Sequence, residues 1–253
     1  MKSSNSNSVL ITGGGSGIGE GTAKYLAKQG SRVTICGRSE DKLIRVSNEI
    51  GSSCHYVVAD INEENERDRL LQEAIEHGKG LNALINSAGN MYRVPLEDLD
   101  ENSLMDIFKT NVIAGMMLSK ESLKHLKESK GSIIFISSVH TKRSFSGASP
   151  YAATKGAVET LTQVMASELG EFGVRVNCVS PGAVISEINI RAGLFSKEEN
   201  LDRMNRLAPE HVLGRIGTAT EIAEAIAYLI EAKWTSGSIL RVDGGLSLGK
   251  IKD

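Results

Sequence analysis

Seven short apolar runs alternate with helical patterns along the chain, and this alternation sets what it can fold into. The runs lie at 9–12, 32–36, 55–59, 81–85, 131–137, 174–180 and 237–242. A strand that feeds a helix and then another strand lays successive strands parallel, with helices over both faces of the sheet. The expectation is α/β: a doubly wound, parallel, seven-stranded sheet. It forms one domain over 8–253, behind a polar, frayed tail at 1–7. With 253 residues, 40% of them hydrophobic, the chain can bury one core without disulfide or metal staples.

The ends of these strands carry the chemistry. The first run leads into Thr12-Gly-Gly-Gly-Ser-Gly-Ile-Gly19, and a helical pattern follows. A glycine-rich turn between strand and helix lets backbone N–H groups reach a phosphate at the helix start. Gly13, Gly15, Ser16, Gly17, Ile18 and Gly19 are therefore candidate cofactor contacts, although Gly13, Gly17 and Gly19 are spaced G-x-x-x-G-x-G and a flexible turn is the competing reading. The second strand ends in Gly37-Arg38-Ser39, where an acidic residue would bind the 2′-hydroxyl of NAD. Glycine leaves room for a 2′-phosphate and Arg38 can neutralise it, which favours NADP(H), with NAD(H) possible. The other reading is a solvated arginine that opens a helix. Asp60-Ile61 closes the third strand, so Asp60 either accepts from the adenine amine or caps the helix at 63–77. Asn86-Ser-Ala-Gly89 closes the fourth, and its small residues let Asn86, Ala88 and Gly89 lie close to a cofactor.

Ser149-Pro-Tyr-Ala-Ala-Thr-Lys155 reads as a helix start, with Ser149 as cap and Pro150 in the first turn. Tyr151 and Lys155 then share a face. A free phenol titrates at about 10, and a cation beside it favours the ionised form. Tyr151 could then exchange a proton with an alcohol or ketone near neutral pH, while Ser138 binds the same oxygen. Tyrosine and lysine also fall four apart by chance, but among five tyrosines only Tyr151 has a lysine at that offset.

Composition narrows the partners. A net charge of −2 and 4% aromatics offer no field or stacking platform for nucleic acid. Three cysteines without a Cys-x-x-Cys fit a reducing, cytoplasmic setting. The five histidines have no metal-ligand spacing, and no apolar run reaches membrane-spanning length. From 183 to 213 the pattern is irregular and charged, as in a mobile flap.

Taken together, Thr12-Gly-x-x-x-Gly-Ile-Gly19, Asn86-Ser-Ala-Gly89, Asn111, Ser138, Tyr151-x-x-x-Lys155 and Pro181-Gly182 resemble the short-chain dehydrogenase/reductase family over nearly the whole length. The nearest likeness is to 3-oxoacyl-acyl-carrier-protein reductases and polyol dehydrogenases. Asn86-Ser-Ala-Gly89 departs mildly from the family's Asn-Asn-Ala-Gly. The resemblance implies a Rossmann fold and hydride transfer between a nicotinamide and a small carbonyl or alcohol. It implies that Tyr151 is the general acid/base and that Lys155 binds the nicotinamide ribose and lowers the Tyr151 pKa. Ser138 would orient the substrate oxygen, and Asn111 would hold a water that relays protons from Lys155. Near Pro181 and Gly182, the Val184 backbone would meet the carboxamide, and Ser186 would lie near the phosphates. A homotetramer is implied too, through the helices around 102–127 and 151–170. His140 is a candidate substrate contact; with Lys142 and Arg143 it either meets an anionic group or lies in a solvated loop. The alternatives are a 3-oxoacyl-thioester reductase and a non-catalytic dinucleotide-binding protein. An extended-branch sugar-nucleotide enzyme is disfavoured, because Ser16 and Glu20 break its glycine spacing.

Overall fold

Residues 7–249 are described by a computed structural model. The apolar runs become β1 (Ser8–Thr12), β2 (Arg32–Gly37), β3 (Cys54–Val58), β4 (Ala83–Asn86), β5 (Ser132–Ile136), β6 (Arg175–Pro181) and β7 (Ile239–Val242). All pair in parallel, in the order β3-β2-β1-β4-β5-β6-β7. Between them lie α1 (Gly17–Lys28), α2 (Glu40–Ile50), α3 (Glu64–Gly78), α4 (Glu101–Phe108), α5 (Ala114–Ser129), α6 (Ser149–Leu169), α7 (Ile188–Arg191), α8 (Lys197–Leu207) and α9 (Ala219–Glu231).

Strand parity divides the core in two. Val9, Ile11, Ile35, Ile85 and Ile134 pack under α1, α2 and α9 with Ala23, Leu43, Ile222 and Ile226. Leu10, Leu84, Ile133 and Phe135 point the other way, to Leu70, Leu118 and Val158 of α3, α5 and α6. A sheet covered on both faces explains why its strands read as continuous apolar runs rather than alternating ones. After β1 the chain crosses to one face; after β4 it crosses to the other. The loops diverge there and open a crevice at the carboxyl ends of the strands.

Three expectations are refined. The frayed tail reached residue 7, but the Asn7 carbonyl accepts from the Arg32 N–H at 2.8 Å and its amide donates to Glu231 at 2.6 Å. Residues 1–6 lie outside the described part. The long helical stretch from Asp100 to Lys127 is broken by a π-helical turn, Lys109–Ile113. The 183–213 segment is partly helical: α7, α8 and a short 3₁₀ turn fill it. In α8 the Ser196 hydroxyl accepts from the Glu199 N–H while Glu199 accepts from the Ser196 N–H, a reciprocal cap legible in Ser196-x-x-Glu199.

Candidate active site

Two glycines of the loop after β1 are forced by close approach. A Cβ on Gly13 (φ +69°) would lie 2.9 Å from the Ala88 Cα, and one on Gly19 would lie 2.3 Å from the Gly13 carbonyl oxygen. The Thr12 hydroxyl fastens the same junction, accepting from the N–H groups of Ser87 (3.1 Å) and Ala88 (3.0 Å). Sequence reasoning passed over that side chain. Ser16 precedes α1 without capping it, so the first-turn N–H groups of Gly17, Ile18 and Gly19 have no side-chain cap. A negatively charged phosphate suits these donors and the positive end of the helix dipole. The cradle fits a dinucleotide.

The cleft above it is lined by Gly13, Gly15, Ser16, Gly17, Ile18, Gly19, Arg38, Ser39, Asp60, Ile61, Ala88, Gly89, Pro181, Gly182, Val184 and Ser186, and by Ser138, His140, Tyr151 and Lys155. Asn86 is not among its lining residues. Its amide donates to the Ser119 hydroxyl on α5 at 3.2 Å. The two-residue strand period puts Asn86 on the Leu84 face, so its inward direction was readable. Asp60 does not cap α3, whose N-cap is Glu63. Its Oδ1 accepts from the Asn62 N–H at 3.0 Å, and its Oδ2 lies 3.9 Å from an Arg38 nitrogen. The Arg38 side chain is 63% exposed and faces the crevice rim.

Arg191 on α7, which the sequence did not single out, spans the cleft. One nitrogen donates to the Ser16 hydroxyl at 2.9 Å and another to the Gly89 carbonyl at 3.2 Å. Lys42 pairs with Glu187 alongside. Nothing local in the sequence announces these contacts, because they depend on how the 183–213 segment folds back.

At the other end, Tyr151 and Lys155 are both buried on α6, with the ammonium 5.5 Å from the ring centre. The expected depression of the Tyr151 pKa is corrected here. Burial pushes the phenol up to about 12, against a smaller opposing effect of its hydrogen bond with Ser138. The Lys155 Nζ donates instead to the Ile136 carbonyl at 2.8 Å. Burial lowers the Lys155 pKa to about 8. Both shifts share one cause: each charged form is withdrawn from water. Ser138 follows β5, and its Oγ lies 2.9 Å from His140 Nδ1. The His140 ring meets the Tyr151 ring edge-on, 5.1 Å between centres. Asn111 sits in the π-helical turn, a distortion frequent at functional sites. Its amide donates to the Asn90 carbonyl (3.0 Å) and the Thr154 hydroxyl (3.1 Å), and its Oδ1 accepts from the Asn90 N–H (2.7 Å). Asn111 thus clamps the loop after β4 to α6. Lys142 and Arg143 do not line the cleft; they pair with Glu159 (3.4 Å) and Glu210 (2.9 Å).

A dinucleotide cradle beside a serine, tyrosine and lysine defines an oxidoreductase of the Rossmann type. A model of the short chain dehydrogenase family matches residues 7–195. Glucose 1-dehydrogenase of Gluconobacter oxydans is 35% identical over 251 residues, covering 95% of this chain and 91% of that protein. The solved 3-ketoacyl-(acyl-carrier-protein) reductase of Brucella melitensis, complexed with NADH, is 30% identical at a TM-score of 0.84, covering 95% of this chain and 98% of that one. A variant of actinorhodin polyketide ketoreductase solved with NADPH is 28% identical at a TM-score of 0.88, covering 98% and 99%. The chain belongs to the short-chain dehydrogenase/reductase family and is an NAD(P)-dependent oxidoreductase acting on CH–OH groups.

Proposed function

We propose that this protein is an NADP(H)-dependent reductase of small carbonyl compounds, and a dehydrogenase of the matching secondary alcohols. The observation that carries this reading is that Ser138, Tyr151 and Lys155 line the same cleft as the glycine cradle. A bound nicotinamide supplies or takes the hydride. Ser138 and Tyr151 hold the substrate oxygen, and Tyr151, kept protonated by burial, gives it a proton in the reducing direction. Lys155 stands close enough to steady the phenolate that remains. Asn111 positions the loop after β4 and holds the relay water that links Lys155 to solvent. Val184 and Ser186 line the opposite wall, where they would meet the carboxamide and phosphates, and Arg191, bonded to Ser16 of the glycine loop, would add positive charge for the phosphates. Preference for NADP(H) rests on Gly37 and on the exposed Arg38 guanidinium, whose one ion-pair contact among the described residues is the Asp60 carboxylate at 3.9 Å.

The test is NADPH oxidation over a panel of keto sugars, ketoacyl thioesters, keto acids, steroids and diketones. No turnover on any of them sinks the reading. Arg38→Ala should weaken NADPH about 10- to 100-fold, as expected for losing a charge-assisted contact, while NADH changes little. Equal losses for both would exclude 2′-phosphate recognition.

A further inference from the structure

Two arginines, Arg203 on the cleft wall and Arg93 in the loop beside it, have no carboxylate partner among the described residues. Arg203 stands on α8 and lines the cleft with its neighbours Met204 and Leu207. Its guanidinium carbon lies 5.7 Å from the Phe195 ring centre, and it makes no ion pair among the described residues. Arg93 lies in the loop after β4. It donates to the Ser146 carbonyl, next to Phe145 of the cleft wall. The Val94 N–H donates to the Gly147 carbonyl at 2.8 Å and fastens the two loops together. Of the other cations, Lys142 pairs with Glu159, Arg143 with Glu210 and Lys42 with Glu187, while Lys155 donates to the Ile136 carbonyl and Arg206 adds a further like charge near Arg203.

His140 stands beside them on the cleft wall. Its Nδ1 is joined to Ser138, while its Nε2 is buried with no hydrogen-bond partner. Burial lowers the pKa of both Arg93 and Arg203, and the Arg93 charge lowers that of Arg203 further. The His140 ring stands 4.4 Å from the Phe145 ring, next to the Ser146 carbonyl that Arg93 holds, and shares the cleft wall with Arg203; both charges, with Lys155, oppose its protonation. Like charges partly withdrawn from water and left unneutralised are costly, and a bound anion removes that cost.

We propose that Arg203 and Arg93, beside His140, form a subsite for an anionic group of the substrate, a carboxylate or a phosphate. The substrate is then a keto acid or a phosphorylated ketone rather than a neutral sugar or steroid. Arginine suits this task because its planar fork meets two oxygens at once. The assignment of the substrate rests on the reductase reading; the binding of an anion does not.

The experiment is calorimetric titration of the NADP⁺-loaded protein with matched pairs. The probes are 3-oxobutanoate, 4-oxopentanoate and 5-oxohexanoate against their methyl esters, and dihydroxyacetone phosphate against dihydroxyacetone. At least one anion should bind about tenfold or more tighter than its neutral twin, the scale of one charge-assisted contact. The acids and the phosphate form separate arms and identify the anion. Arg203→Met and Arg93→Met should each collapse the preference towards one, and Arg203→Lys should keep part of it. Equal binding within every pair overturns the subsite, as does failure of every anion to bind or an equal loss on acid and ester in Arg203→Met. NADPH oxidation on the same pairs separates the two readings. Arginine-dependent binding without turnover would sink the reductase; equal turnover and binding of acid and ester would sink only the subsite.

Discussion

Ser138 has one hydroxyl proton and two neighbours able to use it. If His140 carries its proton on Nδ1, it donates to Ser138 and frees the serine proton for a substrate oxygen. Neutral or protonated, the ring can make that donation; the buried site favours the neutral form. Burial, with the Arg93, Arg203 and Lys155 charges, holds the His140 pKa down near 4. A lowered pKa means that the folded protein binds this proton less readily than the unfolded chain. The stabilisation from a neutral His140 is complete above about pH 6.5 and is lost as pH falls towards about 4. The shift corresponds to about 3 kcal/mol. Denaturant midpoints of wild type and His140→Gln should therefore converge as pH drops through this window; a constant difference would refute the effect. Tyr151→Phe removes the proton donor and should lower kcat by about 10²- to 10⁴-fold while NADPH still binds. Near-native kcat in that variant would end the acid/base assignment.

Helix α1 meets α9 with almost no clearance. A Cβ on Gly21 would stand 2.5 Å from the Ala219 Cβ. Gly21→Ala gains roughly 0.5–1 kcal/mol of helix propensity, but overpacking a helix contact costs about 1–3 kcal/mol. Overpacking wins, so the variant should melt several degrees lower by calorimetry; an unchanged or raised Tm would mean that the helices part freely. What the sequence reveals at this level follows from period and punctuation. All seven strands, the glycine turn and the Tyr151–Lys155 face rest on local rules that hold here. The π-helical turn at Lys109–Ile113 has no local signature, since Lys-Thr-Asn-Val-Ile suits an ordinary helix equally well. Arg191 and Arg203 gain their meaning only when the segment after β6 folds back over the cleft, a tertiary event that no spacing encodes. The Tyr151 pKa was misjudged for a related reason. The spacing places an ammonium beside the phenol, but not how deeply both are buried or that Lys155 spends a proton on the Ile136 carbonyl.

On the whole molecule, apolar side chains stay exposed on the helices expected to meet partner subunits: Met105 on α4, Ile113 in the π-helical turn, Met116 on α5 and Val164 on α6. We propose that these faces assemble the chain into a homotetramer. Light scattering should then give about four times the chain mass, and Val164→Lys should shift it downward because burying an unpaired charge is costly. A monomer at micromolar concentration would exclude the assembly. Among the described residues, no helix is long and apolar enough to cross a membrane.

The strand order has a consequence for synthesis. β1 lies between β2, the next strand made, and β4, which comes three crossovers after it. A ribosome that has translated through β3 has delivered every glycine of the phosphate loop. The wall from Pro181 to Arg191 and the Ser138–Tyr151 pair are still unmade. Dinucleotide can therefore rescue this protein only late in its birth, and until β4 emerges one flank of β1 stays bare and in need of shelter.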